Sequence, residues 1–160
     1  IPYVKEQTRV GVDAIQIFDT WGGLLNEEHY RQFSLPSIQK LCRAISERGV
    51  IPILFVRKSE HLLKTLLESN AHVMSIGSGC DLAHAITTIN GQCALQGNLD
   101  PEILLRSPHD IRTATISMLK IAEKAKGYIA NLGHGILPQT LPERVQAFVE
   151  TVTSYHQSRM

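Results

Sequence analysis

Five short apolar runs punctuate the chain: AIQIFDT at 14–20, IPILFV at 51–56, HVMSIG at 72–77, CALQGNLD at 93–100 and YIANLGHG at 128–135. Several lack polar alternation, the pattern of strands covered on both faces, and together they predict a parallel sheet. The intervening segments follow a different period. Ile38, Leu41, Cys42 and Ile45 fall at i, i+3, i+4 and i+7, as do Val145, Phe148, Val149 and Val152, which predicts helices with one apolar stripe. Ser107 before Pro108 reads as an N-cap with proline at the first helical position, Thr140 with Glu143 as a capping box, and Gly49 and Gly127 as helix stops. Pro36 divides 27–48 into a short first turn and a longer helix. Strand alternating with helix four times over gives βαβ units, hence an α/β fold. A doubly wound sheet and part of a (β/α)8 barrel both fit. A complete barrel needs about 250 residues, so a chain of 160 residues supplies only part of one.

Composition removes several classes of partner. Lysine and arginine number 16 against 15 acidic residues, and the formal charge of +1 gives no global field for nucleic acid or an acidic membrane. Cys42, Cys80 and Cys93 are odd in number and scattered, which suits a reducing cytosol and argues against a disulfide framework. No apolar run reaches the roughly 18 residues of a membrane span, and the opening IPYVKEQTRVGVD lacks the regions of a signal peptide, so a cytoplasmic location is expected. Seven histidines invite a metal, yet no two of them stand at helical ligand spacing and no clustered thiolates accompany them; no metal is expected. The chain begins at Ile1 in what reads as the middle of a helix, which predicts a fragment.

In either parallel architecture a ligand lies beyond the carboxyl ends of the strands. The residues there are Asp19, Thr20 and Trp21, then Arg57 and Lys58, Gly77 to Cys80, Asn98 and Asp100, and finally Asn131 and His134. Most have a plain alternative. Asp100 before Pro101 reads as a helix cap, Asp19 as a carboxylate that orders its loop, and Arg57 and Lys58 as a solvated turn. IGSGC at 76–80 offers a Gly-x-Gly turn into a helix without the rest of a dinucleotide fingerprint, and Cys80 is a nucleophile candidate or a small core residue. Phe18 is core or a ligand platform. His134 lies between Gly133 and Gly135, where absent side chains would let an imidazole meet a ligand closely; a solvated turn is the other reading.

IQIFDTWGGLL at 15–25, ALQGNLDP at 94–101 and YIANLGHGILPQTLPERVQAFVE at 128–150 together resemble the carboxyl-terminal half of the uroporphyrinogen decarboxylase family, in order over nearly the whole chain. The resemblance implies that residues 1–160 are the carboxyl-terminal portion of a distorted (β/α)8 barrel whose amino-terminal half is missing. It also implies a homodimer and the decarboxylation of four acetate side chains of uroporphyrinogen III to give coproporphyrinogen III in haem biosynthesis. No metal or organic cofactor is implied. By motif it puts Phe18 against the macrocycle, Thr20 at a strand-end hydroxyl position that meets a substrate carboxylate, and His134 on a carboxylate at the cleft. The family's aspartate, arginine-rich loop and tyrosine belong to the other half, so no catalytic residue is assigned here and the isolated chain is expected to be inactive. Association with another copy or with the missing half is expected. Two departures from the family stand at strand ends: IGSG at 76–79 where LDWT is usual, and RKSEH at 57–61 in place of a glycine-rich stretch. Two alternatives stay open: a related corrinoid-dependent methyltransferase, which shares the barrel and uses zinc, and, prompted by the altered IGSG, a degenerate, non-catalytic binding module. A methyltransferase wants a His-x-Cys ligand set, and no such pair occurs.

Overall fold

Each apolar run contributes one strand, and the computed structural model, which describes residues 1–157, orders the strands as they occur in the chain. They are β1 (Ala14–Asp19), β2 (Ile51–Val56), β3 (Val73–Ser75), β4 (Ala94–Leu99) and β5 (Tyr128–Leu132), each parallel to its neighbours. Around them run α1 (Pro2–Arg9), α2 (Glu27–His29), α3 (Leu35–Ser46), α4 (Leu63–Leu67), α5 (Leu82–Ile89), α6 (Pro108–Ala122) and α7 (Pro142–Gln157). This is an α/β fold, and its curvature makes it part of a (β/α)8 barrel. On a flat sheet β1 and β4 would stand roughly 14 Å apart, three spacings of about 4.8 Å. Instead Gln96 of β4 donates a hydrogen bond to Gln16 of β1 at 3.0 Å across the interior of the curve.

The register sorts the strand residues between two environments. Leu54, Val56, Met74, Leu95 and Leu99 face outward and form the main core with Ile38, Cys42, Leu63, Ala85, Ile89, Ile111 and Met118 of the helices. A smaller core joins Val4 of α1 to Ile15, Ile45 and Val50. The other face turns into the curve. There the expectation of strands covered on both sides holds for β3 and for β2 beyond its first residue, Ile51, and fails at the margins, because among the described residues β1 and β5 have a neighbour on one side only. Phe18, Ile51 and Ile129 on this inner face are 69%, 44% and 42% exposed.

Several local signals act as expected. Ser107 caps α6, its hydroxyl accepting from Asp110 N–H, with Pro108 at the first helical position. Asp100 accepts from Glu102 N–H and caps the short 3-10 turn Pro101–Leu105. Gly49 follows α3 with a φ of +73°. Before Pro36 the chain passes from α2 through a π turn, Tyr30–Ser34, where Leu35 N–H reaches back to the Tyr30 carbonyl. Two expectations are corrected. The Thr140–Glu143 capping box does not form: α7 begins at Pro142, one residue later than that box requires, and the buried Thr140 hydroxyl has no hydrogen-bond partner. Gly127 stops no helix, since α6 has already ended at Ala122 and Gly127 leads directly into β5.

Candidate functional site

A cavity of about 620 Å3 opens inside the curve toward the carboxyl ends of the strands. Phe18 and Thr20 reach it from β1 and the turn after it, Phe55 from β2, Ser75 from β3, and Asn131 and His134 from β5 and its following loop. The two edges of the sheet therefore contribute to one space. A line of rings crosses it: Phe18 stands edge-on to Phe55 with centroids 5.8 Å apart, and Phe55 meets the His134 imidazole at 6.5 Å and 73°. Among the described residues His134 makes this ring contact and no hydrogen bond, which leaves both ring nitrogens available to a ligand. Helix α7 closes one side with Val145, Phe148 and Val149. Val149, part of the predicted apolar stripe, faces this cavity and is exposed, whereas Phe148 is buried.

The loops that carry the polar groups are held together by close backbone contact. Gly97 has a φ of +132°, and a Cβ there would lie 2.7 Å from the Ile76 carbonyl oxygen, so only glycine fits. Its neighbour Asn98 donates through Nδ2 to the carbonyls of Gly77 (3.0 Å) and Cys80 (2.7 Å), fastening both ends of the IGSGC turn. Gly133 lies directly on that turn; a Cβ there would collide with the backbone nitrogen of Ser78 and lie 2.6 Å from its Cα. Gly135 borders the cavity, and a Cβ added to it would meet nothing within 4 Å. A second concavity, about 200 Å3, lies behind His134, lined by Arg57, Lys58, Glu60, Gly77 to Gly79 and Gly133. His134 thus stands between the two.

Other strand-end residues take no part in the larger cavity. Asp19 turns outward. Its Oδ2 is shut off from solvent beside the Tyr30 hydroxyl, and burial, with the Asp19 charge adding to it, pushes the Tyr30 pKa far above the usual range. Cys80 is buried, and desolvation followed by the charges of Glu60 and Asp81 pushes its thiol up to about 11. A thiol so protonated is a poor nucleophile at neutral pH. Trp21 is exposed beside Thr20, Leu24, Arg57 and Lys58. Among the described residues no group of three His, Cys, Asp or Glu side chains gathers as metal ligands. Sequence reasoning missed Gln16 and Ser75 of the cavity floor, Gln96 behind them, and Phe55. Gln16 stands two residues before Phe18 on one strand, and that period of two was the available signal.

The family profile described as "Uroporphyrinogen decarboxylase (URO-D)" matches residues 1–155. Among curated relatives, a uroporphyrinogen decarboxylase of Legionella pneumophila (strain Paris) is 40% identical over 152 residues, covering 94% of this chain and 43% of that protein. A uroporphyrinogen decarboxylase of Coxiella burnetii (strain Dugway 5J108-111) is 36% identical over 159 residues, covering 97% and 44%. One from Pseudomonas fluorescens (strain SBW25) is 37% identical, covering 97% and 46%. The chain spans less than half the length of these relatives. A solved methyltransferase from Methanosarcina mazei superposes with a TM-score of 0.83 at 20% identity, covering 98% of this chain and 46% of that one, a likeness of fold.

Proposed function

Because the chain belongs to the uroporphyrinogen decarboxylase family, we propose that it forms the carboxyl-terminal side of a tetrapyrrole-binding cleft. The enzyme it serves removes carbon dioxide from the four acetate side chains of uroporphyrinogen III and yields coproporphyrinogen III. The observation that carries this reading is the convergence of Phe18, Thr20 and His134, from opposite edges of the sheet, on one cavity with Phe55 between them. Each fits a task. Exposed Phe18 offers an apolar face to a large ring, while the Thr20 hydroxyl and the His134 imidazole offer donors to carboxylates on its rim. At each acetate the methylene carbon loses carbon dioxide and gains a proton, leaving a methyl group. The groups that move this proton lie outside residues 1–160 in this reading, and the chain's own residues bind and orient. No organic cofactor or metal enters it, the working protein is cytoplasmic, and the cleft is completed by the amino-terminal half or a further copy.

The methyltransferase alternative has no observation of the site in its favour, since the Methanosarcina likeness at 20% identity concerns the fold. A non-catalytic module is separated from the enzyme by assay. The full-length gene product, incubated anaerobically with uroporphyrinogen III, is expected to form coproporphyrinogen III, and absence of product would defeat the proposal. His134→Asn removes one contact from a site with many, a loss of about 1–3 kcal/mol, or roughly 5- to 150-fold in kcat/KM. Unchanged kinetics would return His134 to a solvated turn. The 160-residue chain alone is expected to give no product.

A further inference from the structure

Below the aromatic line, three polar side chains meet in the interior of the curve: Gln16 from β1, Ser75 from β3 and Gln96 from β4. Ser75 and Gln96 are buried, and Gln96 Nε2 donates to Gln16 Oε1 and to Ser75 Oγ, each at 3.0 Å. A carboxamide nitrogen carries two hydrogens, so these two bonds use both. The polarity then propagates. With its oxygen engaged, Gln16 turns its own NH2 group to the opposite side, and among the described residues that group donates to nothing else. Ser75, accepting from Gln96, keeps its hydroxyl hydrogen to give away. Gln16 and Ser75 both line the larger cavity, whereas Gln96 lies behind them. The floor therefore presents N–H and O–H donors, with the carboxamide oxygen of Gln16 turned away.

A surface of donors selects an acceptor that brings no hydrogen of its own, and a carboxylate gains most, because hydrogen bonds to a charged acceptor are roughly twice as strong as neutral ones. We propose that Gln16 and Ser75 form a carboxylate subsite at the floor of the cavity, and that Gln96 is the positioning residue that fixes their polarity. The inference deepens the tetrapyrrole reading and rests on it: one acid side chain of the substrate points down between β1 and β3 while the ring lies against Phe18.

The test uses the full-length gene product and coproporphyrin III, a stable porphyrin tetracarboxylate, with binding followed by the shift of its absorption band. Gln16→Leu and Ser75→Ala are each expected to weaken binding about tenfold, and Gln96→Leu three- to tenfold, with thermal unfolding showing that each variant is folded. The double variant Gln16→Leu/Gln96→Leu is the decisive one. If Gln96 acts through Gln16, the pair binds within twofold of Gln16→Leu alone; losses that multiply would make Gln96 a packing residue and overturn its assignment. Should Gln96→Leu fail to fold, the two cavity-facing variants still decide the subsite. Wild-type binding with unchanged affinity in Gln16→Leu and Ser75→Ala would overturn the subsite alone. No porphyrin binding by the wild type would overturn the tetrapyrrole reading and the subsite with it.

Discussion

His134 stands between two glycines that serve different ends. Gly133 lets the final loop rest on the backbone of Ser78, whereas Gly135 faces open space at the cavity. Gly133→Ala is therefore expected to cost about 3 kcal/mol or more, because the collision is with backbone that cannot swing aside. Gly135→Ala should stay within about 0.5 kcal/mol of the parent and show its effect on ligand binding instead. Urea denaturation of the two variants checks the contrast, and equal costs would mean that Gly133 does not hold these loops together. The sequence showed which side chains stand at strand ends, because runs such as YIANLGHG mark where strands stop. It could not show which way each one points. Asp19 and Phe18 are adjacent and so point to opposite faces, Asp19 outward beside Tyr30 and Phe18 into the cavity, but the letters do not say which face is the inner one. Gln96 was hidden for another reason: its partner is 80 positions away, and only the curvature of the sheet brings them together.

Helix ends were read well where one residue carries the signal and poorly where two must agree in register. Ser107 next to Pro108 fixes the start of α6 by itself, since proline has no N–H to lose at the first helical position. The Thr140–Glu143 pair fails because Pro142 sets that position for α7, and Thr140 then lies one residue too early to cap it. The π turn before Pro36 was likewise beyond periodicity: a proline contributes no N–H to the ladder and crowds the preceding turn, which here widens. Ser107→Ala is expected to destabilise the protein by about 1 kcal/mol at neutral pH. The Ser107 hydroxyl also donates to Asp110 at 2.7 Å, and this bond foremost holds the Asp110 carboxyl below its usual range. A depressed carboxylate pKa contributes stability that is present above the unfolded value of about 3.9 and is lost as pH falls through the folded value. The penalty of Ser107→Ala should accordingly shrink in acid. Denaturation midpoints of parent and variant at pH 7 and pH 3 test this, and a penalty independent of pH would count against the Asp110 link.

Taken as one body, the sheet is closed on its outer face by helices and open on its inner face. Phe18, Ile51 and Ile129 lie there among exposed residues, and among the described residues β1 and β5 each leave one edge unpaired. Apolar surface and free strand edges on the same side favour association. The 160-residue chain is expected to self-associate at tens of micromolar, and to do so less when the amino-terminal half of a relative is supplied. Light scattering with and without that segment measures both; a strictly monomeric particle would contradict the expectation. Strand order and fold class followed from the apolar runs because each is bounded by turn residues and separated by a helical period. The openness of one face did not, since Ile129 and Leu95 are equally apolar as letters and differ only in which side of the sheet they occupy.

The fastening of the IGSGC turn bears on how such a protein changes by descent. Gly97 and Gly133 leave no room for a first carbon, so a lineage that loses either must rebuild two loops at once. Gly77 and Gly79 are different. Neither has a left-handed φ; a Cβ on Gly77 would rest 3.6 Å from the Gly133 carbonyl in ordinary contact, and one on Gly79 would meet only the movable end of Glu60 at 3.3 Å. These two positions can thus take on side chains one nucleotide change at a time, over a backbone path already laid down. Drift at this corner is reversible, while the glycines that pin it are ratcheted in place.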